Sequence, residues 1–139
     1  MATAISSVRS FPVSKVWAGR LLSAIPVLML LLSASMKLSH APAFVAAWTD
    51  RLGWSEGSLT TIGLVELAVV VLYTVPRTAF FGAVLVTAYL GGAVATDARV
   101  GNAVVVPIVL GVLAWLGFYL RDARVAAATR ITGAASHAS

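Results

Sequence analysis

The sequence predicts an all-α fold: an integral membrane four-helix bundle with both the N and the C terminus cytoplasmic. Three observations predict it. Of 139 residues, 60% are hydrophobic and 11% charged, with a mean hydropathy of +0.95, whereas soluble domains carry roughly 25% charged residues. A chain this small could not hide so much apolar surface in water, because small domains bury only about two-thirds of what the unfolded chain exposes. The apolar residues also gather into four runs, 16–36, 59–75, 79–95 and 104–120. Runs of that length suit a hydrocarbon core of about 30 Å when helical. Lys and Arg, finally, distribute unequally. Arg9, Lys15, Arg20, Arg77, Arg121, Arg124 and Arg130 fall on one side of the threading, against Lys37, Arg51 and Arg99 on the other. The richer side is cytoplasmic by the positive-inside rule. No run alternates with period two, which excludes a β-barrel, and helices satisfy their own backbone in lipid.

The elements follow in order. Residues 1–14 form a basic N-terminal segment, 15–124 the bundle and 125–139 a C-terminal tail whose end, 131–139, is small and polar. The first run has a basic start and ends in the small residues Ser33, Ala34 and Ser35, as a signal peptide does. It is longer than a usual signal core, so it reads as a retained span. Pro26 is expected to kink it. The connection from Lys37 to Ser58 is the longest. Its stretch 42–52 is expected to form a short outer-surface helix, with Phe44 and Trp48 at i, i+4 dipping into the headgroups. Pro76 and Arg77 form a tight turn, so the second and third runs make a hairpin. Gly91 and Gly92 in the third run are expected to allow close helix approach. Arg121-Asp122-Ala123-Arg124 reads as a cytoplasmic anchor.

Composition also excludes functions. The net charge of +5 and pI near 10.5 come from basic residues flanking apolar runs, with no dense stripe for nucleic acid. The chain has no cysteine, which removes disulfides, thiol catalysis and thiolate metal sites. Its two histidines are His40 and His137, and the second lies in the tail, so neither a haem nor a metal site is expected.

The most informative residue is Glu66, inside the second run and about 10 Å from its outer end. A carboxylate at bilayer depth is costly, so it faces the bundle interior, finds a partner and marks a functional site. Its bland alternative is a structural acid that ties helices together. Gly63, Glu66, Val70 and Tyr73 share a stripe by their three-to-four spacing, as do Tyr89, Ala93 and Asp97, and Gly111, Trp115 and Tyr119. If these stripes face one another, they enclose a pocket open to the outer side with Glu66 at its floor. Lys37, His40, Arg99 and Asn102 lie near its mouth. Each has a plainer reading: Lys37 as a snorkelling anchor, His40 as a loop residue, Asp97 with Arg99 as an interfacial ion pair, and Tyr73, Tyr89 and Trp115 as core or aromatic belt.

At this point the residues resemble the DoxX-like family of small four-helix membrane proteins. Four stretches carry the resemblance: Ser35-Met36-Lys37-Leu38, Gly63 through Glu66-Leu67, Tyr73-Thr74-Val75-Pro76-Arg77-Thr78, and Ala88 through Thr96 with Arg99-Val100-Gly101. The ending Gly117 to Asp122 fits as well. Members often carry His where this chain has Asp97, and Asp where it has Asn102. The resemblance implies a redox association, as a small membrane subunit linked to quinone chemistry. The chain has no redox group or nucleotide fingerprint of its own, so electron transfer would need a bound quinone or a partner oxidoreductase subunit.

Three functions are therefore compatible. The first is a module binding a quinone-like or other apolar molecule at an intramembrane acidic site. The second is a cofactor-independent acid–base enzyme of isomerase, cyclase or epoxide hydrolase type. In it Glu66 serves as acid and Asp97 as base or nucleophile, across one substrate. The third is a non-catalytic membrane subunit or assembly factor. Expected partners are the bilayer, an apolar small molecule, and an oxidoreductase subunit or a second copy of the chain.

Overall fold

Each apolar run becomes one helix, bounded within a few residues of its hydrophobic limits. The computed structural model describes residues 13–122. Most of the basic N-terminal segment, and the tail with Ala123 and Arg124, lie outside them. The elements are α1 (Val13–Leu38), α2 (Pro42–Ala46) followed by a π-helical turn (Ala47–Arg51), α3 (Ser58–Thr74), α4 (Ala79–Arg99) and α5 (Val105–Arg121). The described residues hold no strand. α1 continues through Pro26, although proline offers no amide to the carbonyl one turn back.

The four long helices form a closed ring. α1 packs on α5 and α3, α3 on α4, and α4 on α5. Two helices, 15–38 within α1 and Ala79–Arg99, are long and apolar enough to cross a membrane. α3 and α5 are shorter apolar helices of 17 residues. All four carry large apolar side chains on their outward faces, including Leu28, Leu64, Phe81 and Val105. The core is correspondingly narrow. Leu30, Val70, Tyr73, Val86, Ala114 and Phe118 are among its buried members.

The half of the bundle holding the Pro76 turn is closed tightly. A Cβ at Gly82 would collide with the Tyr73 backbone, and one at Gly117 with Ser23. Glycine thus lets α3 approach α4, and α5 approach α1, to backbone contact. Tyr73 is the knot of this half. Its hydroxyl donates to the Ala114 carbonyl at 2.6 Å and shares a hydrogen bond with Ser23 Oγ at 3.0 Å. Arg121 turns back over the Tyr73 ring, 4.4 Å from its centroid, and donates to the Tyr73 carbonyl at 2.5 Å. Thr78 completes the turn by donating to the Leu72 carbonyl at 2.8 Å. That carbonyl is one of the last of α3, where the helix leaves acceptors without internal donors.

The opposite half is covered by the connection from α1 to α3. α2 starts with Pro42 in its first turn, where a missing amide costs nothing. Phe44 stacks on Trp48 at 6.1 Å, as the i, i+4 spacing predicts. Trp48, however, is buried and donates its indole N–H to Ser58 Oγ at 2.9 Å. It faces into the bundle and not into headgroups. The π-helical turn adds a residue to the local winding, and Trp48 lies on it. Two ties hold this cover down: Arg51 donates to Asn102 Oδ1 at 2.9 Å, and Arg99 donates to the Leu52 carbonyl.

Candidate functional site

Beneath the cover lies a cavity of about 530 Å³. Each of the four long helices contributes the part nearest the cover. α1 gives Leu30, Ser33 and Lys37, and α3 gives Ile62 and Glu66. α4 gives Tyr89, Gly92, Ala93 and Asp97, while α5 gives Val106, Pro107 and Leu110. Trp48, Leu52 and Trp54 form the roof. The walls are mostly apolar, and the charges that interrupt them are Lys37, Glu66 and Asp97.

Lys37 and Glu66 form an ion pair at 2.8 Å, with side chains only 5% and 1% exposed. A pair this buried loses most of its hydration, and the attraction offsets that loss only with good geometry and further hydrogen bonds. The geometry is good. Lys37 Nζ also donates to Ser33 Oγ at 2.6 Å, one turn back on its own helix. It stands 5.3 Å from the Phe44 ring, 5.9 Å from Trp48 and 6.0 Å from Tyr89, within the range at which ring faces attract a cation. Tyr89 of α4 lines the same cavity as Glu66. No buried side-chain nitrogen or oxygen among the described residues lacks a partner.

Local structure explains the inward turn of Lys37. Side chains on a helix lean toward its N terminus, so a lysine in the last turn of α1 reaches back down the bundle. Gly63 makes room on the facing helix, where a Cβ would lie 3.2 Å from Lys37 Cβ. Glu66, three residues further along α3, then meets the ammonium. The alternative of Lys37 snorkelling outward is thereby replaced.

The structure brings some predicted residues to this chamber and not others. Glu66, Asp97, Lys37 and Tyr89 line it. Asp97 accepts from Asn102 Nδ2 at 3.1 Å, and Arg99 reaches the cover, so the expected Asp97–Arg99 pair gives way to a chain of ties through Asn102. Gly101, at φ 72°, turns the backbone so that Asn102 returns over Asp97. His40, at φ 50°, meets Thr60 and Glu56 on the exposed rim. Tyr73 belongs to the knot at the other end. Trp115 lies in an outer groove, donating to Thr87 Oγ1 at 2.7 Å. The α5 wall is therefore Val106, Pro107 and Leu110, not the Gly111, Trp115 and Tyr119 stripe. Gly91 and Gly92 do not mediate close packing either, since a Cβ at each would meet nothing within 4 Å. Gly92 instead keeps the chamber open. Trp48, Ser33 and Leu110 joined the site without being anticipated. For Ser33, its place one turn before Lys37 was the available signal.

No group of three His, Asp or Glu that could hold a metal occurs among the described residues. An organic molecule would find a ring-lined roof, apolar walls and a buried ammonium.

Fold and site together define a small all-helical protein with an internal, largely apolar chamber built around a buried ion pair. The chain belongs to the DoxX-like family, whose model matches residues 21–117. That span runs from α1 into α5 and includes the whole chamber. No curated protein and no solved structure matches the chain.

Proposed function

We propose that the protein crosses the cell membrane four times and binds a lipid-soluble, quinone-like molecule in this chamber, as a redox-associated module. Support for four spans is the outward apolar face of all four helices, including the two of 17 residues. At 1.5 Å per residue such a helix is about 25 Å long, close to the core thickness. Both termini then lie on the cytoplasmic side with Arg77 and Arg121, as the positive-inside rule favours.

The buried Lys37–Glu66 pair carries the ligand reading. A stability role alone gives a weak reason for it, because apolar residues in its place are often as stabilising. An ammonium has three donors. Ser33 and Glu66 take two, which leaves one for a carbonyl oxygen in the chamber. Tyr89, beside Glu66, offers a phenol to the same region, and Trp48 offers a ring face for stacking. The chamber volume lies in the ordinary range for small-molecule sites. As electrons arrive, Lys37 would give its ammonium proton to one ring oxygen, and Glu66 would relay to the other a second proton taken up from water. Those electrons come from a partner oxidoreductase subunit, since this chain lacks cysteine and the histidines of a haem site.

Binding of a short-tailed benzoquinone to the protein in lipid nanodiscs tests this. Wild type is expected to bind it, Glu66→Gln to weaken it at least tenfold, and Asp97→Asn to weaken it less than threefold. No binding to wild type would overturn the reading. One observation favours a second reading: Asp97 and Glu66 line the same cavity, as an acid–base enzyme acting on an apolar substrate requires. Equal losses of turnover in the two variants, with no affinity for quinone, would select it. Function retained in both variants would select a non-catalytic subunit.

A further inference from the structure

A second void of about 470 Å³ lies on the outer face of α4 and α5. It shares two side chains with the chamber, Leu90 and Pro107. Both are buried, so a wall of two side chains stands where chamber and groove adjoin. Gly91 and Gly111 lie on the groove side of that wall. A Cβ at Gly91 would meet nothing within 4 Å, and one at Gly111 only Leu90 Cδ1 at 3.7 Å.

The groove offers almost only hydrocarbon. Its polar side chains are Thr87 and Trp115, and they satisfy each other through the 2.7 Å hydrogen bond, while Thr87 also donates to the Ala83 carbonyl at 2.9 Å. A headgroup would find no partner there. An alkyl or isoprenoid chain would find a slot running along α4 from Val94 to Thr87, away from the cover and toward mid-bilayer depth. A leucine side chain moves between staggered wells readily, so Leu90 is the movable part of the wall and Pro107, fixed in its ring, the rigid part.

We infer that the ligand is an amphiphile with a long hydrocarbon tail, its polar ring held at Lys37 and Glu66 and its tail passing between Leu90 and Pro107 into the α4–α5 groove. This rests on the reading of the chamber as a quinone-like site and adds the tail as a determinant of specificity. Entry is then sideways from the bilayer, with the roof staying closed.

The test compares a ring-only benzoquinone with its decyl-tailed analogue in nanodiscs. Two variants fill the groove from opposite walls, Gly91→Leu from α4 and Val112→Trp from α5. Each variant is compared with wild type in the same lipid, which cancels partitioning of the tail. Both variants are expected to weaken the tailed analogue at least tenfold while changing the ring-only affinity less than twofold. Unchanged affinity for the tailed analogue in both variants would overturn the tail placement and leave the chamber reading standing. Equal weakening of both analogues would overturn it too, since the damage would then lie in the chamber. If neither analogue binds wild type, the chamber reading falls and the tail placement with it.

Discussion

The two halves of the bundle solve opposite problems with the same helices. In the half with the Pro76 turn, glycine brings helices to backbone contact, and the Tyr73 hydroxyl stitches α1, α3 and α5 through neutral hydrogen bonds. In the covered half, Gly63 still lets α1 and α3 close up, but Gly92 on α4 leaves space unfilled, and an ion pair stands where packing would be cheaper. Identical residue types thus carry no fixed role. What separates Gly82 and Gly117 from Gly92 is whether the neighbour closes on the missing side chain. One half holds the ring of helices together, so the other can remain hollow.

Removing one member of the ion pair tests this division most severely. Lys37→Met strands Glu66 in an apolar cavity, and breaking a buried pair from one side costs about 3–5 kcal/mol. The double variant Lys37→Met with Glu66→Leu is expected to recover most of that stability and to bind no quinone. Thermal unfolding in detergent, with binding on the same samples, reads both. A double variant as unstable as the single one would show that the covered half is built for stability after all.

Gly82→Ala is expected next in size, at about 1–3 kcal/mol from overpacking, since the methyl meets Tyr73 backbone that cannot yield. Its quinone affinity, measured where the protein is folded, should match wild type. Tyr73→Phe is the mildest. It removes one hydroxyl from two buried partners and should lower stability by about 1–3 kcal/mol, toward the lower end because Ser23 can turn elsewhere. A loss of binding in Tyr73→Phe would couple the halves and blunt the contrast.

Much of this was legible in the sequence. The four runs gave four helices because length and hydropathy are properties of a segment alone. The stripe from Gly63 to Tyr73 did turn inward, and Gly63, Glu66, Val70 and Tyr73 are all buried. The α5 stripe failed for a physical reason: nearly every position there is apolar, so no polar face contrasts with a buried one. Trp115 found its partner on the outer side of the ring. The lean of Lys37 toward its helix N terminus follows from its position, but its meeting with Glu66 depends on a space that Gly63 leaves on another helix. The Asp97–Arg99 expectation came from proximity along the chain. The turn at Gly101 brought Asn102 to Asp97 instead and freed Arg99 for the cover.

The 2.8 Å separation of Lys37 and Glu66 has an electrical consequence. In the four-span arrangement proposed above, the pair sits within the field of the membrane potential, which acts on each elementary charge with about 2.3 kcal/mol per 100 mV across the full thickness. Two opposite charges at nearly the same depth sum to zero. The resting site therefore does almost no work against the voltage, and energising the membrane leaves it undisturbed. A proton taken up from one face and delivered to a ring in the chamber would be different, because that step moves charge through part of the field.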